Sequence, residues 1–271
     1  MRLCTATPFT RNAQCKSAFD VIWNDMSLPG LAAIEVPAVI FIASVIRSTF
    51  GFGEALVAVP LLALIVPVNV AAPVAVLVSI TIAAIAVVQD WREVHLGSAG
   101  RLVLASLVGI PLGLLLLKEV AEPIVKAVLA IVIIAFSLHA SLARRHHEFT
   151  NDKLAWLFGF TAGVLGGAYG MNGPPLVIYG TLRKWSPSRF RATLQGYFLP
   201  ASMIGMFGYW LAGLWTPAVS RFYLLSVPGV VLATFLGRSL NHRLNARQFV
   251  FYIHVSLIVV GVVLLSQAAA G

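Results

Sequence analysis

Charge is scarce in this chain. Only 11% of its 271 residues are Asp, Glu, Lys or Arg, against about 25% in a soluble domain, which excludes an ordinary soluble enzyme. Cysteine is nearly missing too: Cys4 and Cys15 both fall in the first fifteen residues, so no disulfide framework or cysteine metal site follows. The sequence contains no nucleophile elbow, dinucleotide glycine fingerprint, Walker lysine or HExxH motif. Catalysis is left without positive support, no cofactor is expected, and without a nucleotide-binding domain any pumping is secondary. Residues 1–30 lack the early apolar run and cleavage site of a secretory signal peptide and read as a disordered tail. Met26, followed by Ser27-Leu28-Pro29-Gly30 and the first apolar stretch, is a candidate start.

What the chain has in abundance is apolar sequence. Hydrophobic residues make up 59% of it, and charged residues leave uncharged runs at 55–89, 102–117, 127–143, 154–182, 192–220, 222–237 and 248–271. A helix needs roughly 20 residues to cross the ~30 Å hydrocarbon core, so the chain reads as an all-α, polytopic membrane protein. The run 154–182 is too long for one crossing and too short for two with a turn. Its centre, Gly166-Gly167-Ala168-Tyr169-Gly170-Met171-Asn172-Gly173-Pro174-Pro175, disfavours continuous helix, because adjacent prolines remove donors and glycines cost propensity. Two short helices are expected to meet there. A similar break is expected at Arg47-Ser48-Thr49-Phe50-Gly51-Phe52-Gly53-Glu54. With further segments at about 69–89, 101–117, 123–142, 192–212, 218–237 and 248–268, the total is about ten.

The formal net charge of +9 is explained by orientation in a membrane rather than by nucleic acid, since no basic stretch is interleaved with polar residues. The connections near 89–101, 143–153, 183–191 and 237–247 hold twelve of the nineteen Lys and Arg residues. Placing these on the cytoplasmic side puts both termini outside, in a cell membrane, most simply a bacterial inner membrane.

Setting Phe50-Gly51-Phe52-Gly53 against Gly167-Ala168-Tyr169-Gly170 aligns the two breaks, and three residues of slip match Pro67 with Pro187. Each half then holds one broken pair and three longer segments. Five segments is an odd number, so the second copy must insert inverted. The resulting division is a first repeat over 31–143, a cytoplasmic linker over 144–153 and a second repeat over 154–271. Inverted repeats with broken helices point to alternating access about a midplane site. Close packing of small residues such as Gly159, Gly163, Gly166 and Gly170 is the competing explanation for the glycines.

Of the charged residues, only Arg47 and Glu54 fall at membrane depth, where a charge costs at least about 2.5–3.5 kcal/mol. Arg47 offers a planar fork of donors to a carboxylate, sulfonate or sulfite; a structural pair with Glu54 is the alternative. Glu54 is the candidate proton-coupling residue, because an ionised glutamate competes with an anion and a protonated one does not. The helix N-termini beginning at Glu54 and after Asn172-Gly173 add amide donors suited to an anion. Asn172 is the strongest neutral candidate, ahead of Tyr169, Tyr179 and Gln195. Thr49, Gly51, Gly53, Gly170 and Gly173 complete the candidate substrate contacts. His139 and His254 read as packing residues and His146-His147 as a solvated loop pair, so no metal site is expected.

The segments Ser44–Leu61 and Gly163–Leu176, each carrying glycines around an aromatic residue with proline downstream, resemble the TauE/SafE-type sulfite exporter family, across about 31–268. The resemblance implies a permease for sulfite, sulfonates and related organosulfur anions. The chain departs from the family pattern at Glu54, where glycine is common, and at the polar, proline-rich Asn172-Gly173-Pro174-Pro175. The expected function is secondary transport of a small organosulfur anion, with a passive anion channel and a non-transporting membrane scaffold as the alternatives. The partners implied are that anion and the lipid bilayer.

Overall fold

The computed structural model describes residues 2–3, 16–17, 31–90, 96–142, 154–183, 185, 187–240, 258–259, 261–266 and 268–269. Among them are nine helices: α1 (Ala32–Phe50), α2 (Glu54–Leu62), α3 (Val68–Asp90), α4 (Leu96–Glu119), α5 (Glu122–Leu142), α6 (Leu154–Tyr169), α7 (Gly173–Leu182), α8 (Pro187–Leu211) and α9 (Pro217–Leu240). Short helical stretches follow at 258–259, 261–266 and 268–269. The only described extended structure is a two-residue antiparallel pairing of β1 (Arg2–Leu3) with β2 (Lys16–Ser17). Cys4, Cys15, Met26, His146, His147 and His254 lie outside the described residues, as does the side chain of His139.

Four helices, at Ala32–Phe50, Val68–Val88, Gly97–Glu119 and Pro217–Ser239, are long and apolar enough to cross a membrane. Their outward faces carry exposed large apolar side chains, among them Leu104, Leu107, Val108 and Leu112 on α4 and Leu224, Leu232 and Phe235 on α9. Such surfaces suit lipid as the solvent. Trp156, Trp210 and Trp215 are also exposed, the residue type enriched at membrane interfaces.

Several helices differ from their expected extents. α1 has 19 residues and is not shortened; its end is set by glycine conformation rather than by its polar residues, which stay helical. α8 begins five residues before the expected 192, at Pro187, because proline is favoured at the first helical position and a helix need not stop at the charges that mark the edge of an apolar run. α4 likewise starts at Leu96, five residues before the expected 101.

The halves of the chain are held together most tightly where α4 meets α6. Glycines let the two backbones touch. A Cβ on Gly163 would fall 2.7 Å from Ser106 Cα, and one on Gly159 2.9 Å from Leu102 Cα, while one on Gly109 would fall 2.8 Å from the Val164 amide nitrogen. Close packing therefore accounts for Gly159 and Gly163, as their four-residue spacing allows. Gly163→Val is expected to lower the unfolding free energy in detergent micelles by about 1–3 kcal/mol through overpacking. Denaturant titration of the purified variant against the parent checks this.

A larger buried apolar cluster joins α1, α2, α3 and α5 with parts of α6, α8 and α9. A smaller one, built on Leu102, Ala155, Leu176, Tyr179, Leu194, Tyr197 and Phe198, lies among α4, α6, α7 and α8, and Phe52, Trp185 and Phe190 pack onto it. The polar site described next draws on residues from both.

Candidate functional site

Arg47 stands in the last turn of α1, whose end is capped by Gly51 with φ 87°. Gly53 follows at φ 101°. Both values lie in the left-handed region that glycine tolerates and side chains resist. The Gly51-Phe52-Gly53 turn redirects the chain, so that Glu54, opening α2, comes beside Arg47: Arg47 Nη1 lies 2.6 Å from Glu54 Oε2, with the two side chains 1% and 5% exposed. The direct pair is therefore formed. Two other elements, α3 and α8, complete the surroundings of Arg47. Nη1 also donates to Ser79 Oγ of α3 at 2.7 Å, and Nη2 donates to Gln195 Oε1 of α8 at 2.8 Å. The guanidinium carbon lies 4.7 Å from the centre of the Phe198 ring, a cation–π contact in a desolvated place.

Two buried polar atoms are left without a hydrogen bond here, Arg47 Nε and Glu54 Oε1. Leaving such groups unsatisfied is costly, and the two residues that carry them line a small cavity. Arg47, Glu54, Ser79 and Asn172 line its polar part, with Phe52 and Phe198 among the apolar lining residues. Gly53, Glu54 and Ala55 from the start of α2 and Asn172, Gly173 and Pro174 from the start of α7 line the same space. Two helix N-termini thus contribute to one cavity, which favours negative charge in it. Its volume is about 10 Å³, room for about one water molecule.

The other candidates are distributed as follows. Gly170 lines the cavity and adopts φ 67°, packed against Ala72 and Val76 of α3. The Asn172 amide folds back over Gly166, where any side chain would collide with it. Gln195 Nε2 donates to the Gly51 carbonyl at 2.8 Å. Thr49 Oγ1 faces the carbonyls of Val45 at 2.8 Å and Gly237 at 3.2 Å, at the contact of α1 with α9. The Tyr169 hydroxyl donates to the Val125 carbonyl at 3.0 Å, which ties α6 to α5. Tyr179 packs edge-on against Trp185 with ring centres 5.5 Å apart, in the smaller apolar cluster. Among the described residues, no three His, Cys, Asp or Glu side chains form a metal-binding group.

Sequence reasoning missed Ser79, Phe198 and Phe52. Ser79 had a readable signal, a polar residue in the middle of an apolar segment, and Ser202 of α8 donates to it at 3.3 Å. Phe52 stood inside the Gly51-Phe52-Gly53 break but was not singled out as a lining residue; Phe198 had no signal, because sixteen phenylalanines are spread through the chain and only the fold selects it.

The family model for the sulfite exporter TauE/SafE matches residues 36–264, a range that contains every residue of this site. The chain belongs to the TauE/SafE sulfite exporter family. It is also similar to a protein from Cupriavidus necator named "Probable sulfite/organosulfonate exporter TauE", with 32% identity over 155 residues, 55% of this chain and 58% of that protein. The match thus spans little more than half of that relative's length. No solved structure matches the chain. As a TauE/SafE protein with apolar helices of crossing length, this is a multi-pass membrane protein of a transporter family.

Proposed function

We propose that this TauE/SafE protein is a secondary transporter of small organosulfur anions, sulfite or short sulfonates, working by alternating access. Arg47 is the charged ligand for the anion, assisted by Ser79, Asn172 and the amides at the starts of α2 and α7. Glu54 is the proton site. With Glu54 ionised, the charge of Arg47 is already compensated; protonation releases the guanidinium for an anion, so that anion and proton enter the site together. The observation that carries this reading is the buried Arg47–Glu54 pair beside a cavity lined from both halves of the chain. A space for about one water molecule supports a carrier that must open to accept its substrate, in preference to a standing channel. The two breaks are read as the corresponding points of two inverted repeats, over 31–143 and 154–271, with both termini outside a bacterial inner membrane.

The test is flux in proteoliposomes. Sulfite, methanesulfonate and ethanesulfonate are each expected to cross faster than in protein-free vesicles, with a rate that rises when an inward proton gradient is imposed. Absence of flux for all three overturns the reading; flux indifferent to the gradient favours a channel.

A further inference from the structure

The side chain of Gln195 makes two hydrogen bonds that point in different functional directions. Its carbonyl oxygen accepts from Arg47 Nη2 at 2.8 Å, and its amide nitrogen donates to the Gly51 carbonyl at 2.8 Å. Gly51 and Gly53, both at positive φ, flank Phe52, so this peptide segment is the joint between α1 and α2, built from residues with the widest choice of backbone conformation. One side chain therefore connects the anion ligand to the joint. An orientation that satisfies Arg47 with the amide oxygen is the one that presents the amide NH2 to Gly51, since oxygen and nitrogen lie at fixed positions on one planar group.

The same stripe of α8 closes over the joint. Residues 191, 195 and 198 recur at four- and three-residue spacing and share a helix face. The stem of Arg191 packs on Gly51 so closely that a Cβ there would lie 2.5 Å from Arg191 Cγ. Beside it, the ring of Phe190 meets Phe52 edge-on with centres 6.0 Å apart. Phe52 lines the cavity, and on its far side the Phe52–Phe190 pair leads into the aromatic group of Trp185 and Tyr179. The Phe52–Phe190 pair thus stands as a thin wall between the cavity and this aromatic group.

We infer that Gln195 is a positioning residue that couples occupancy of Arg47 to opening of the Phe52–Phe190 wall. This rests on the reading of Arg47 as the anion ligand. An anion on Arg47 takes over the Nη2 hydrogen that Gln195 accepts. The amide then loses its orienting partner and releases the Gly51 carbonyl. The glycine joint is freed to turn, and Phe52 moves away from Phe190. With no anion present, the two hydrogen bonds hold the wall shut.

The experiment uses the full chain with Cys4→Ser and Cys15→Ser, and with Ala55→Cys as a reporter, because Ala55 lines the cavity behind Phe52. The rate of maleimide labelling is measured in proteoliposomes with and without saturating ethanesulfonate. With Gln195 present, ethanesulfonate is expected to raise the labelling rate about tenfold, as a shift of about 1.4 kcal/mol in the open–closed balance would do. Gln195→Leu keeps the side-chain size and removes both hydrogen bonds. It is expected to bind ethanesulfonate at least as well as the parent, to lose the ligand-dependent change in labelling, and to lose turnover. Gln195→Glu retains an acceptor for Arg47 but cannot donate to Gly51, and is expected to bind ethanesulfonate more weakly. An unchanged labelling response in Gln195→Leu overturns the coupling role while leaving Arg47 as the ligand. If Gln195→Leu fails to fold, a parental labelling response in Gln195→Glu at saturating ethanesulfonate overturns it equally. No labelling response in the parent, together with no ethanesulfonate flux, overturns the anion-site reading as well.

Discussion

Arg47→Gln is expected to abolish sulfonate flux and to destabilise the fold at the same time. The arginine supplies charge-assisted hydrogen bonds worth about 1.5–3 kcal/mol each, so losing a forked contact weakens anion binding by at least about 100-fold. The stability effect has a separate origin. With its cation gone, Glu54 remains 4% exposed as a buried carboxylate without a partner, and breaking a buried pair in this way costs about 3–5 kcal/mol. The two effects part company in the double variant Arg47→Gln with Glu54→Gln. Its buried charges are removed together, so its resistance to denaturant in micelles is expected to recover much of the loss. Its sulfonate flux is not. Recovery of flux in the double variant would show that Arg47 serves only to neutralise Glu54.

Glu54→Gln is expected to have the opposite effect on binding. The carboxylate is a tethered competitor for the guanidinium that an incoming anion needs. Replacing it with a neutral amide weakens that competition, and sulfonate affinity is expected to rise by at least about tenfold. Without ligand the variant carries a buried arginine lacking its counter-charge, so ethanesulfonate is expected to raise its thermal midpoint more than it raises the parent's. The pH dependence separates the two proteins further. A protonated glutamate does not compete, so parental affinity rises as pH falls; the glutamine variant loses that dependence. Isothermal titration at several pH values checks both statements. A glutamine variant whose flux keeps its full dependence on a proton gradient would remove Glu54 from the coupling step.

The sequence exposed the two charged members of this site and the turn that brings them together. Arg47 and Glu54 stood out because charge is scarce at membrane depth, and glycines at 51 and 53 announced a change of direction between them. The spacing of seven residues could not say whether the pair was direct, since that depends on the left-handed turn and not on helical periodicity. The partners from α3 and α8 were harder to see. Gln195 lies 148 residues from Arg47 along the chain, and its joint role with Gly51 exists only once α8 has packed against the joint. Thr49 and Tyr169 illustrate the reverse case. They sit beside the breaks in sequence, yet helix rotation turns their hydroxyls toward backbone carbonyls of α9 and α5. Helix ends were misjudged for a related reason: the edge of an apolar run marks where lipid ends, whereas Pro187 and Gly51 mark where the backbone changes conformation.

The central claim is that an anion and a proton occupy the Arg47–Glu54 site together, and the most direct measurement is of proton movement driven by an anion gradient. Proteoliposomes containing the protein and a lumenal pH dye are given an ethanesulfonate gradient with no initial pH difference and with membrane potential clamped. Ethanesulfonate is the anion of a strong acid and carries no proton of its own. The account predicts that protons move in the same direction as the sulfonate, that the movement stops in Arg47→Gln, and that sulfonate flux in Glu54→Gln proceeds without it. Ethanesulfonate flux through the parental protein with no accompanying proton movement would contradict it.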